Sequence, residues 1–323
     1  MSRTYLQKRQ AYDWSKFSNQ AAQPIFDHGL SSVDDLQVYY PRVRDRADIG
    51  VLRCEKSGVI VLDRSDHMDL DHYSEQDGFS YWGGSHRGQV LERTRRDDMR
   101  RVEQFRYLLE GKRCLDVGSG AGGFLDHVLP LVQDIAAVEP QAGVRGELQK
   151  CGYKVYPSME QVAHTGFDVV TVFHVLEHMT NHPWFAIAEI ARVLKPGGTL
   201  VLTTPNVARL ENIVALVEGR NLYDPFSKYG PYGRHNREYT RDELHRLLAH
   251  GGFEVEVSFT ANVHEDHPAS NVDWQALASA IARIPHRERD LGQYLFTRWR
   301  KVAAAKTLRP AWLYRSYAAE QLS

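Results

Sequence analysis

From Lys112 onward, continuous apolar runs alternate with amphipathic ones. The apolar runs end at Gly118 and at Glu139, and recur over 153–156, 167–173 and 199–204; segments with helical spacing start at Gly122 and Gln141 and cover 184–194. Strands alternating with helices in this way predict an α/β domain built on a parallel sheet. A helix over 240–249 opens on Thr240 with Glu243 in the capping-box position and closes at Gly251-Gly252, and two final strands follow over 253–259 and 293–299. Before the first core strand, residues 95–110 read as a helix with Met99, Val102, Phe105, Leu108 and Leu109 turned inward. The preceding residues are charged, aromatic and irregular, with short β-like pieces at 50–53 and 58–62. The expected division is a cap or extension over 1–95, the main domain over 96–300 and a tail over 301–323.

The stretch Cys114-Leu115-Asp116-Val117-Gly118-Ser119-Gly120-Ala121-Gly122-Gly123-Phe124 passes from a strand through a glycine loop into a helix. Glycines permit positive φ and close approach of a ligand to the backbone, and the helix N-terminus presents unpaired N–H groups. Glu139 closes the next strand at the spacing where an acid meets a ribose diol, so the pair predicts an adenosine-containing ligand. Gly118, Gly120 and Gly123 also satisfy GxGxxG, a weak dinucleotide signal. Asp116 argues against that ligand, because a carboxylate there repels a pyrophosphate but attracts an ammonium.

Asp116-x-Gly118-x-Gly120-x-Gly122 resembles motif I of the class I S-adenosylmethionine-dependent methyltransferases. Ala137-Val138-Glu139-Pro140 is similar to the family's second-strand motif, residues 167–178 to its fourth strand and exit, and Leu194-Lys195-Pro196-Gly197-Gly198-Thr199-Leu200 to its turn into the fifth. The resemblance implies a Rossmann-like, seven-stranded, mostly parallel sheet of order 3-2-1-4-5-7-6, flanked by helices and closed by an antiparallel pair. It implies S-adenosyl-L-methionine as cofactor, held by Asp116, Gly118, Ser119, Gly120, Gly122, Glu139, Pro140 and Phe173.

Chemistry is expected at the exit of the fourth strand. If the chain turns helical there, His174, Glu177 and His178 share one face beside the glycine loop, so that His178 or His174 could take a hydroxyl proton while Glu177 orients the ring. The plainer alternative is a hydrogen-bonded plug that only shapes the pocket floor. After the fifth strand, residues 229–240 form a shaped loop, from which Tyr232, Arg234, His235 and Arg237 are expected to reach the acceptor; alternatively Arg234 and Glu238 merely pair. Tyr81 and Trp82 are expected either to line the site or to anchor the extension. His174, Glu177, His178 and His235 also resemble the Glu-x-x-Glu-His plus distant His pattern of small-RNA 2′-O-methyltransferases and, in part, of ubiquinone-pathway O-methyltransferases. His174 in place of the first Glu removes a hard oxygen ligand, so no metal is assigned, with zinc or manganese kept as the alternative. The acidic and histidine-rich run over 66–72 reads as a solvated loop.

Composition narrows the partners. The formal charge is −1 with both signs interspersed, which argues against a nucleic-acid partner. The three cysteines, Cys54, Cys114 and Cys151, suit neither a disulfide framework nor CxxC metal spacing, and no apolar run is long enough to span a bilayer. The expected protein is a cytoplasmic O-methyltransferase with a small hydroxylated or glycan acceptor. The neighbourhood of 234–240, which resembles enzymes of bacterial sugar decoration, tilts the acceptor toward carbohydrate. An N- or C-methyltransferase and a non-catalytic cofactor-binding subunit stand as alternatives, and the oligomeric state is open.

Overall fold

The computed structural model describes residues 12–19, 22–27, 29–43, 47–65, 79, 84–179, 183–222, 235–263, 271–284, 290–306 and 310–313. The chain divides into two compact units, 1–72 and 73–323.

The first unit holds a short helix α1 (Gln23–Asp27) and an antiparallel sheet in which β1 (Leu36–Tyr40), β2 (Val51–Cys54) and β3 (Ile60–Leu62) pair in sequence order. β2 and β3 match the expected β-like pieces; β1 was not anticipated, because only Leu36 of its residues is buried. Ala22, Leu36, Leu52, Cys54 and Val61 form a small core. Asp63 is buried beside it and accepts hydrogen bonds from the Gly50 N–H at 2.8 Å and the Tyr12 hydroxyl at 3.0 Å, which offsets its desolvation. The run over 66–72 lies outside the described residues, apart from which Cys54, Cys114 and Cys151 are all unbridged.

The second unit contains β4 (Arg113–Val117), β5 (Asp134–Val138), β6 (Lys154–Tyr156), β7 (Phe167–Phe173), β8 (Leu194–Pro205), β9 (Phe253–Ala261) and β10 (Tyr294–Lys301). They pair in the order β6-β5-β4-β7-β8-β10-β9, which is 3-2-1-4-5-7-6 when counted from β4. β10 runs antiparallel to both neighbours and the other core pairs are parallel. The central strands are predominantly apolar because helices cover both faces, with Asp116 of β4 and Thr171 of β7 buried among the apolar residues as a hydrogen-bonded pair. On one face, Cys114, Val169 and Val201 meet α2 (Arg87–Leu109), α3 (Gly123–Val128) and α4 (Ala142–Lys150) through Phe105, Phe124 and Leu148. On the other, Leu115, Val170 and Leu200 meet α5 (Pro183–Val193) and α7 (Arg241–His250) through Ile187, Ile190, Leu244 and Leu248.

Two boundaries and two further helices depart from the sequence expectation. α2 begins at Arg87, inside the expected extension; of its expected inward positions Phe105 and Leu109 are buried, Val102 and Leu108 are partly buried and Met99 is exposed, and Val90 is buried in addition. β8 begins at Leu194, which pairs with Phe167 before the Pro196–Gly198 excursion and the register shift that brings Thr199 opposite Val169. Two unanticipated helices, α6 (Leu210–Val217) and α8 (Trp274–Ala282), lie beyond β8 and between β9 and β10; α8 is capped by Asp273, whose carboxylate accepts the Ala276 N–H. The expected capping box of α7 is present: Glu243 N–H donates to Thr240 Oγ1 and Thr240 N–H to Glu243 Oε2. Among the described residues, no helix is long and apolar enough to cross a membrane.

Candidate active site

Gly118, Gly120 and Gly122 carry the chain from β4 to α3 with φ of 75°, 52° and 78°. The loop is tight as well as left-handed. A Cβ on Gly118 would lie 2.3 Å from Val175 Cγ2, and one on Gly122 would lie 2.5 Å from Leu148 Cδ2. The Gly118–Val175 approach places the exit of β7 directly against the glycine loop.

Two buried carboxylates flank that loop. Asp116 accepts a 2.6 Å hydrogen bond from Thr171 Oγ1, and Glu139 accepts the N–H groups of Gly120 and Gln141, each at 2.9 Å. Burial pushes Asp116 up to about 7 against the opposing Thr171 bond. Glu139 is likewise pushed up to about 7 by burial, against its two backbone hydrogen bonds. Arg145 secures this corner by donating to the carbonyls of Glu139 and Pro140. Ser119 Oγ and both amide atoms of Gln141 are buried with no hydrogen-bond partner among the described residues. A cradle free of side chains, two carboxylates placed where a cation would draw their pKa values down, and unpaired polar groups fit a ligand carrying hydroxyls and an ammonium. S-adenosylmethionine has both. Phe173 is placed differently from a ligand-facing residue: its ring is buried between Phe105, stacked at 5.6 Å, and Phe124, edge-on at 5.1 Å.

The α-helix on which the shared face of His174, Glu177 and His178 is conditional does not form at the end of β7. His174 has φ of 57°, making it the one non-glycine residue with positive φ among those described, and only a single 3₁₀ turn follows at Leu176–His178. This turns the two histidines apart. His174 packs edge-on against Tyr294 with ring centroids 4.7 Å apart, and its Nδ1 lies 3.4 Å from Glu177 Oε1. Glu177 is fully buried; its Oε2 accepts from Thr204 Oγ1 at 3.0 Å, while Oε1 makes no hydrogen bond that meets normal geometry. Burial acts to raise the Glu177 pKa, but the proximity of His174 and the charge of His178 hold it below the usual carboxylate range.

His178 faces His235 instead, with ring centroids 5.0 Å apart. The segment carrying His235 is stitched to the 3₁₀ turn: the Asn236 N–H donates to the Glu177 carbonyl at 2.7 Å, and Asn236 Nδ2 to the His178 carbonyl at 2.9 Å. Glu177, His178 and His235 each offer one ligand atom, all within 4.8 Å of one another. His174 is not part of that grouping. Glu238, which the plainer sequence reading paired with Arg234, binds His235 Nδ1 through Oε1 at 2.7 Å and Arg209 through Oε2. Burial acts to raise Glu238, and these two partners hold it below its ordinary value. Arg237 is tied at 2.6 Å to Glu243 Oε1. Tyr81, Trp82, Tyr232 and Arg234 lie outside the described residues. Sequence reasoning missed Val175, which lies within the 167–178 motif but has no role assigned by it, and Thr204, Arg209 and Tyr294, which lie in no motif that marks them.

The family profile described as "Methyltransferase domain" matches residues 90–257. The chain is similar to the mitochondrial ubiquinone biosynthesis O-methyltransferase of Schizosaccharomyces pombe, 28% identical over 197 residues that cover 56% of this chain and 69% of that relative. It is similar also to the ubiquinone biosynthesis O-methyltransferase of Dechloromonas aromatica, 39% identical over 109 residues covering 30% and 46% of the two chains. Among solved structures, the N-methyltransferase NodS from Bradyrhizobium japonicum in complex with S-adenosyl-L-homocysteine aligns with 67% of this chain and 99% of its own, at 17% identity and a TM-score of 0.41.

Proposed function

We propose, for a chain that belongs to the class I S-adenosylmethionine-dependent methyltransferases, that the acceptor is a hydroxyl group of a small metabolite, with a sugar or glycan as the favoured class. The cofactor is S-adenosylmethionine, which supplies an electrophilic methyl carbon. Asp116, Ser119, Glu139, Gln141 and the glycine loop would hold it. The observation that carries the reading is the contact of Gly118 with Val175, because it sets Glu177 and His178 beside the loop that holds the cofactor. In this reading His178 takes the acceptor hydroxyl proton, His235 borders the same space, and buried Glu177 and Thr204 keep the turn in place. The cluster of imidazole and amide groups supports a hydroxylated acceptor over an apolar one. Unbridged cysteines agree with a reducing, cytoplasmic setting.

The test is transfer of labelled methyl from S-adenosylmethionine to hydroxylated acceptors. His178→Ala should lower kcat by about 10²- to 10⁴-fold with cofactor affinity unchanged. Turnover of that variant at the wild-type rate with saturating acceptor would remove His178 as the base.

Metal-assisted transfer is a second reading, favoured by the convergence of Glu177, His178 and His235 and by the Glu177 oxygen that lacks a hydrogen bond. In that case chelation should silence the wild type, and manganese or zinc should restore it. If a chelator leaves the rate unchanged, the base mechanism stands alone.

A further inference from the structure

His235 is held from two sides by groups that do not belong to one element. Its backbone neighbour Asn236 is bonded to the carbonyls of Glu177 and His178, as described above, while its ring is held at Nδ1 by Glu238 Oε1. The other carboxylate oxygen of Glu238 pairs with Arg209, the residue immediately before α6. Arg209 is itself fixed by donating from Nη1 to the Asn206 carbonyl at 3.0 Å. Asn206 is buried at the end of β8 and anchored through Nδ2 to the carbonyls of Asp290 and Gly292, at 2.6 and 2.8 Å. A chain of polar contacts thus runs from the sheet through Asn206, Arg209 and Glu238 to one ring nitrogen of His235.

We propose that Glu238, anchored by Arg209, is a positioning residue that fixes the tautomer of His235, placing the proton on Nδ1 and the lone pair on Nε2. The proposal rests on the methyltransferase reading for its purpose but not for its physics. An ionised carboxylate is an acceptor only, so a 2.7 Å contact with Nδ1 requires the proton on that nitrogen, and the neutral ring then has its lone pair on Nε2. The guanidinium of Arg209 keeps the carboxylate ionised and prevents it from rotating off the ring. As a metal ligand His235 requires a defined lone pair, and in the base reading, where His178 takes the proton, the same Nε2 lone pair gives His235 a fixed acceptor for the substrate hydroxyl beside it. Without Glu238 the ring would lose the acceptor that keeps the proton on Nδ1.

The tautomer can be read directly in the full chain bearing S-adenosylhomocysteine, labelled with ¹⁵N-histidine, by long-range ¹H–¹⁵N correlation at a pH where imidazole is neutral. Loss of one set of signals in His235→Asn assigns the residue. The expected result is the Nδ1–H form in the wild type, a shift toward Nε2–H in Glu238→Ala, and retention of Nδ1–H in Glu238→Gln, whose amide oxygen still accepts. S-adenosylhomocysteine affinity within about twofold of wild type in both variants shows that the cofactor site is folded, and kcat should fall about 10- to 100-fold in Glu238→Ala. An Nε2–H ring in the wild type overturns the proposal, as does an unchanged Nδ1–H ring in a folded Glu238→Ala. Should Glu238→Ala fail to fold, the wild-type tautomer decides alone. Absence of methyl transfer with the Nδ1–H tautomer in place would count against the proposed function and leave the positioning role standing.

Discussion

Replacing Gly118 by Ala should cost about 2–5 kcal/mol of stability, and the loss separates into two parts that can be measured apart. The first is conformational: φ of 75° brings a Cβ against the following carbonyl, a penalty of about 1–2 kcal/mol. The second is steric: the new methyl would stand 2.3 Å from Val175 Cγ2, and overpacking of that kind costs about 1–3 kcal/mol, because a β-branched side chain has little freedom to swing away. Val175→Ala removes the offending methyl and leaves Val175 Cβ at 3.4 Å, an ordinary contact. The double variant should therefore recover the steric part and keep the conformational one, giving a coupling of about 1–3 kcal/mol between the two sites. Urea unfolding of the wild type, both single variants and the double variant measures this, with S-adenosylhomocysteine titration alongside. Simple additivity of the two substitutions would refute the contact between the glycine loop and the β7 exit, and with it the adjacency on which the proposed function depends.

Asp116 and Glu139 are both raised to about 7 in the folded chain, so between the ordinary carboxylate range and about pH 7 the folded state binds more protons than the unfolded one. Stability of the cofactor-free protein should then fall as pH rises through that window and level off above it. Binding of the cofactor's ammonium should release protons in the same window, seen as a dependence of binding heat on the buffer's ionisation enthalpy; heats independent of buffer would contradict the pKa assignment. At the β7 exit, His174→Gly should be more stable than His174→Ala by about 1 kcal/mol, since both lose the ring contact with Tyr294 but only Ala retains the strained φ. Equal melting temperatures for the pair would mean that the backbone relaxes when the ring is removed.

Much of this molecule is determined locally by its sequence. The passage from Cys114 to Phe124 can be read directly because glycine alone adopts three left-handed conformations in five residues cheaply, and because a strand covered on both faces is predominantly apolar, which makes the carboxylate of Asp116 conspicuous. The Thr240–Glu243 cap is equally local, being closed by bonds three residues apart. The strand order came from resemblance to a family, since periodicity cannot say which strands are neighbours. What only the tertiary structure decided lies between elements distant in sequence. Helical spacing would have put His174 and His178 on one face, but a left-handed His174 sends one ring to Tyr294 and the other to His235. Glu177, His178 and His235 meet because bonds across 58 residues, such as that from Asn236 to the His178 carbonyl, lay one segment over another. Arg209 and Glu238 gain their partners in the same way. Side-chain convergence depends on the closure of long loops around a finished sheet, and no short-range pattern encodes the direction in which those side chains finally point.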